Sequence, residues 1–168
     1  QTCVNALPLY LRPRGAAPAT HWRRVALPEG GALLAKTWWH SGDTPRPLVV
    51  VIHGVGGSSE ATYVVRAALA LFAAGYHVAR LNQRGAGESW RIAPSLYHGG
   101  LSDDVTRVVR AYAEDPRVSS VAVFGFSLGG NLVLKTAGEW GSAPPPKMGA
   151  VVSVSAPTNL SVVSTHLE

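Results

Sequence analysis

The stretch Ser119-Ser-Val-Ala-Val-Phe-Gly-Phe-Ser-Leu-Gly-Gly-Asn131 decides the fold. Ser120 to Phe124 is a short apolar-rich run of strand character. Leu128 to about Trp140 carries apolar residues at helical spacing and is closed by Gly141. Between them Gly125-Phe126-Ser127-Leu128-Gly129 fits G-x-S-x-G, a strand-to-helix turn tight enough to hold its serine in a strained backbone conformation. The flanking glycines let neighbouring chain pass close by, and Gly130 adds a further small residue. The Ser127 hydroxyl then projects at the carboxyl edge of the sheet, beside the positive end of the following helix. A structural turn serine is the alternative, and the strand before and helix after favour a nucleophile.

Upstream, Leu48-Val49-Val50-Val51-Ile52 is a run of five apolar residues, mostly β-branched, suited to a strand buried on both faces. His21 to Leu27 and Ala32 to Trp39 read as a pair of strands around the turn Pro28-Glu29-Gly30-Gly31. Ser58 or Ser59 is expected to cap a helix carrying Val64, Val65, Ala68, Leu69 and Phe72, which stops at Gly75. Tyr76 to Leu81 is the next strand. Ser102, with Asp103 and Asp104 in the first turn, starts a helix whose Val105, Val108, Val109 and Tyr112 share one face, ending before Pro116. Met148 to Val154 is a last strand. Strands alternating with helices predict an α/β fold, a mostly parallel sheet with helices on both faces. Residues 1–20, punctuated by Pro8, Pro13, Gly15 and Pro18, read as an irregular arm ahead of a single core domain over 21–168.

His53-Gly54-Val55-Gly56-Gly57 follows the buried strand directly. Glycine-rich backbone at a strand end turns N–H groups toward developing negative charge, as an oxyanion hole requires, with the amides of Val55 and Leu128 as donors. A phosphate-cradling loop and a plain turn are the competing readings; the former needs Gly-Lys-Ser/Thr, and Gly57 is followed by Ser58-Ser59, while the serine turn downstream favours an oxyanion loop over a plain turn. His53 is expected to be a structural hydrogen-bonding residue and not the base.

Composition sets outer limits. The 168 residues are 46% apolar and 15% charged, enough to bury one core without disulfides, and the single Cys3 has no partner. The formal charge of +5 raises nucleic acid as a partner; the basic residues, however, form no stripe interleaved with aromatics, so no nucleic-acid binding is expected. No run of about 18 apolar residues and no signal-peptide pattern is present, which predicts a soluble, cytoplasmic protein. No cluster of Cys, His or carboxylates suggests a metal, and the chemistry requires no metal or organic cofactor.

The ordered series Leu48-Val-Val-Val-Ile-His-Gly-Val-Gly-Gly-Ser-Ser, Asn82-Gln-Arg-Gly-Ala-Gly-Glu-Ser, Tyr97-His-Gly-Gly, Gly125-Phe-Ser-Leu-Gly-Gly-Asn131 and Val154-Ser-Ala-Pro157 resembles the YheT-like branch of the α/β-hydrolases. The resemblance runs from about Pro28 to about Leu160. It implies a serine esterase acting on carboxylic esters or lipids, with Ser127 as nucleophile and Val55 and Leu128 as oxyanion amides. Arg84 to Ser89 would be a loop near the pocket, and Asp103 and Asp104 part of a helix start. An ester-forming acyltransferase and a non-catalytic hydrolase-fold module are the alternatives.

This fold orders its triad Ser, then Asp or Glu, then His. After Ser127 come 41 residues whose only acids are Glu139 and Glu168 and whose only histidine is His166. Glu139 falls on the helix after the elbow and Glu168 follows His166, so no conventional triad can be written; His166 and His98 are weak candidates for a recruited base. The expectation is an α/β-hydrolase core truncated after about the sixth strand. That strand would be an apolar edge, predicting self-association or a complementing C-terminal chain. Trp38, Trp39, Trp90 and Trp140 are assigned to pocket or core without a choice between them.

Overall fold

The computed structural model describes residues 18–160 and residue 162. The expected arm over residues 1–20 lies almost wholly outside them, as does His166. Six strands, β1 (Thr20–Ala26), β2 (Ala32–Trp38), β3 (Arg46–Ile52), β4 (His77–Asn82), β5 (Val118–Phe126) and β6 (Met148–Val154), form one sheet in the order β1-β2-β4-β3-β5-β6. The helices are α1 (Thr62–Ala73), α2 (Ser102–Ala113) and α3 (Leu128–Trp140), with a 3-10 helix over Gly87–Arg91. β4, β3, β5 and β6 run parallel, whereas β1 pairs with β2 and β2 with β4 in antiparallel register. The mostly parallel sheet is therefore as expected, and the first two strands are the hairpin.

The unbroken apolar run of β3 has a direct cause. Leu48, Val50 and Ile52 enter one core with Leu33, Val105, Val109, Tyr112 and Leu132, while Val49 and Val51 enter a second with Trp38, Val64, Ala68 and Val78. A central strand between two cores needs apolar residues on both faces; each such side chain, fully buried, contributes about 1.5–3 kcal/mol. α2 and α3 cover the first face across β5 and β6, and α1 covers the second over β3 and β4. On the α1 side, no helix among the described residues covers β5 and β6, and a groove of about 500 Å³ opens there, lined by Val49, Leu71, Ala122, Phe124, Ala150 and Val152. The expectation of helices on both faces thus holds in full for one face and over only half the sheet for the other.

The expected serine cap of α1 is corrected. The helix begins at Thr62 behind Ala61, with no side-chain cap. Ser58 Oγ instead accepts from the Glu60 amide, and the Ser59 amide donates to Asn82 Oδ1, so both serines shape the loop ahead of the helix. No helix among the described residues is long and apolar enough to cross a membrane.

Candidate active site

β5 and β3 lie side by side at the centre of the sheet, but their connections diverge, since α1 leads from β3 to β4 and α3 from β5 to β6. A crevice forms at the carboxyl ends of strands where such connections part, and Gly54, Val55 and Ser127 stand there. Ser127 sits between β5 and α3 at φ 51°, ψ −119°. This is the left-handed half of backbone space, and a residue with a Cβ is held there only by its surroundings. Two constraints are visible. The Ser127 amide donates to Val154 O at 2.9 Å, tying the turn to the end of β6. The glycines around it permit a fit that no side chain would: a Cβ on Gly129 would lie 2.5 Å from His53 O, and one on Gly125 would strike the Gly129 carbonyl.

A serine at a helix N-cap ordinarily accepts a hydrogen bond from the first turn. Ser127 makes no such bond. It is exposed and lines a pocket of about 240 Å³ with Gly54, Val55, Tyr63 and Phe126. The Val55 and Leu128 amides donate to no acceptor among the described residues. Leu128 opens α3, and its amide lies at the positive end of that helix, whose first turn carries no acid. The structure thus brings Ser127 and Val55 to one pocket, with Leu128 as the adjoining residue.

His53 is fully buried. Its Nδ1 lies 2.8 Å from Gly54 O, a carbonyl that can only accept, so Nδ1 carries the proton and Nε2 accepts the Gln83 amide at 3.3 Å. Burial holds its pKa below the ordinary histidine value, against the Gly54 carbonyl, which raises it. Both ring nitrogens are committed, and His53 is the structural residue that its position suggests. Gln83 Nε2 also donates to His53 O at 2.9 Å. The Gly54 amide donates to the Tyr63 hydroxyl at 3.0 Å and the Gly56 amide to the Tyr97 hydroxyl at 2.7 Å. The Tyr97 ring also meets His53 edge-on, 5.4 Å between centroids.

The loop from Arg84 to Ser89, expected near the pocket, is not among the residues that line it. Arg84 turns inward: its Nε and Nη2 donate to the two carboxylate oxygens of Asp104 at 2.6 and 2.7 Å, and Nη1 pairs with Glu29. Ser89 donates to Asn82 O and accepts the Leu34 amide, fixing the 3-10 helix against β2 and β4. Asp103 and Asp104 do open α2 as expected, and Asp104 is in addition half of a buried ion pair.

Glu139 is on α3, paired with Lys135. His98 is exposed, its Nδ1 accepting the Gly100 amide at 3.1 Å. The tryptophans are settled as well, since Trp38 is buried in the α1 core, Trp39 and Trp140 pack against the other core, and Trp90 is exposed. None of them lines the pocket at Ser127. Tyr63 was not singled out from the sequence; the one signal was a polar ring beside the apolar positions of α1. Among the described residues no three His, Cys, Asp or Glu side chains group as metal ligands.

The family described as serine aminopeptidase, S33 (Hydrolase_4) matches residues 43–164. The chain is 29% identical over 149 residues to YheT of Escherichia coli, covering 88% of this chain and 43% of the relative. It is 29% identical over 120 residues to a monoacylglycerol lipase of Saccharomyces cerevisiae, covering 70% of this chain and 26% of that one. The chain thus spans less than half the length of these curated relatives. Among solved structures, the Pyrococcus furiosus esterase Pf2001 superposes with a TM-score of 0.71 at 18% identity, over 86% of this chain and 52% of that one. A turn of this geometry at the centre of a sheet of this order, together with the match over residues 43–164, places the chain in the serine aminopeptidase S33 family of the α/β-hydrolases.

Proposed function

We propose that the chain carries the nucleophile and oxyanion half of a serine hydrolase acting on carboxylic esters. Ser127 Oγ attacks the ester carbonyl, its proton passes to a histidine, and the Val55 and Leu128 amides hold the tetrahedral oxyanion. Collapse expels the alcohol, and water then cleaves the acyl-enzyme; an alcohol in place of that water would make the same site an acyltransferase. The observation that carries this reading is the Ser127 hydroxyl, which makes no cap bond from a strained N-cap and stands in the pocket shared with Val55. No histidine among the described residues lines that pocket, so the reading assigns the base to sequence outside residues 18–160. The same observation favours a second reading, a non-catalytic module. An alkyl fluorophosphonate on the purified chain separates the two. Adduct mass mapped to Ser127 is expected, whereas a folded chain that stays unlabelled excludes the enzyme reading for it.

The partner expectation rests on β6. Among the described residues it ends the sheet and pairs only with β5, and it exposes Val152 and Val154. Such an edge is a template for a further strand, from a second copy or a complementing chain. Light scattering is expected to read a dimer or larger species; a monodisperse monomer excludes self-association.

A further inference from the structure

Among the described residues, Tyr63 is the one side chain besides Ser127 that brings a polar atom to the pocket. Its oxygen accepts the Gly54 amide at 3.0 Å, so that bond does not use the phenolic proton, and no acceptor for that proton is found among the described residues. Gly54 itself abuts the candidate nucleophile, because a Cβ built on it would lie 2.9 Å from Ser127 Cβ and 3.5 Å from Ser127 Oγ. The ring is fixed edge-to-face on Phe126, the residue before Ser127, at 5.1 Å between centroids and 71° between planes. Space for the hydroxyl exists because residue 57 is glycine: a Cβ there would come within 2.6 Å of the Tyr63 oxygen.

We propose that the Tyr63 hydroxyl is a third donor to the oxyanion, a side-chain partner to the Val55 and Leu128 amides. This rests on the serine reading above. As the bond from Ser127 Oγ to the carbonyl carbon forms, the carbonyl π pair moves onto oxygen, and Tyr63 donates its O–H hydrogen bond to that oxygen. The phenolic proton stays on Tyr63 throughout; the Ser127 proton goes to the histidine. Burial raises the Tyr63 pKa above the ordinary tyrosine value, opposed by the Gly54 amide, so the phenol remains a donor across neutral pH. The Gly54 amide aligns the phenol by donating to its lone pair, and the Phe126 contact holds the ring plane. A donor placed before the charge develops does not have to reorganise when it appears.

The test uses two ligands with the same alkyl chain, a trifluoromethyl ketone that adds Ser127 to give a tetrahedral oxyanion and the trifluoromethyl carbinol that cannot. Binding is followed by the fluorine resonance, which reports the adduct directly. Tyr63→Phe, which keeps the ring on Phe126, is expected to weaken the ketone about 10²-fold, the low end for loss of one oxyanion donor. The carbinol is expected to bind within about two-fold of the unaltered chain, as nothing but the oxyanion contact is lost. Gly57→Ala, which displaces the hydroxyl and keeps the phenol, is expected to reproduce the selective loss. Equal weakening of both ligands, or no change in the ketone, overturns the Tyr63 assignment while an adduct on the unaltered chain keeps the serine reading. No adduct on the unaltered chain overturns both.

Discussion

Ser127→Gly is expected to abolish reaction with a fluorophosphonate and at the same time to raise the stability of the chain. The loss of labelling is complete because the attacking oxygen is gone. The gain comes from the backbone. At φ 51°, ψ −119° a residue with a Cβ carries roughly 1–3 kcal/mol of strain, whereas glycine enters positive φ about as readily as negative. Against this stands the greater freedom of glycine in the unfolded chain, about 0.5–1 kcal/mol. The net is a stabilisation on the order of 1 kcal/mol, read as a rise in the urea midpoint at unchanged slope. Ser127→Ala supplies the internal comparison. It removes the same oxygen and keeps the Cβ, so labelling disappears and stability stays within about 0.5 kcal/mol. Equal stabilisation by the two variants would place the strain in the hydroxyl and not in the turn, and a less stable glycine variant would remove the strain altogether. Opposite signs for reactivity and stability are what a functional site imposed on a fold predicts.

Asp104→Ala is expected to cost about 3–5 kcal/mol in urea unfolding, the range for breaking one side of a buried ion pair. The Arg84 and Asp104 side chains are only 9% and 7% exposed, and the pair is joined by two hydrogen bonds. Hydrogen bonding to Asp104 raises the Arg84 pKa against the desolvation that lowers it; without the carboxylate the guanidinium still keeps its proton, because arginine is intrinsically too basic to lose it. Two of its donors then face a space without acceptors. Glu29 remains on Nη1, but that carboxylate is 42% exposed and screened by water. Glu29→Ala is accordingly expected to shift the urea midpoint far less than Asp104→Ala does. The double variant Arg84→Met, Asp104→Leu should regain most of the loss, because a buried pair replaced by apolar groups of similar volume leaves no orphaned charge. A small effect from Asp104→Ala alone would show that water reaches Arg84. The damage extends toward the pocket: the Tyr97 amide donates to Arg84 O, and the Tyr97 hydroxyl in turn receives the Gly56 amide.

What the sequence made legible was whatever local chemistry determines. α3 and β6 fall where the glycine punctuation and apolar runs put them, since Gly141 ends α3 at positive φ and Gly125 and Gly129 allow the close contacts of the turn before it. Ser127 could be picked out because strand, tight turn and helix follow one another within a few residues. The misplacements share one cause, a partner far away in the chain. β5 runs from Val118 to Phe126, longer than the apolar core of the run, because its start pairs with Arg46 across a register shift and its end with Val154. Ser58 and Ser59 carry the side chain of a cap, yet Asn82, more than twenty residues on, claims the Ser59 amide. Arg84, in the loop that the resemblance puts near the pocket, is paired with Asp104, twenty residues on. Tyr63 acquires meaning only once Gly54 and Phe126 are beside it.

The hydrogen bond from the Ser127 amide to Val154 O joins the strained turn to the terminal strand of the sheet. β3, buried between two cores, has neighbours on both sides, but β6 has one neighbour and alternately exposed side chains. Local opening costs least where a strand has the fewest buried contacts. The turn that must be held most tightly therefore hangs on an edge strand. A strand paired with the outer side of β6 would lengthen the lifetime of that bond, and occupancy of the flank would then set how long Ser127 remains aimed at the pocket.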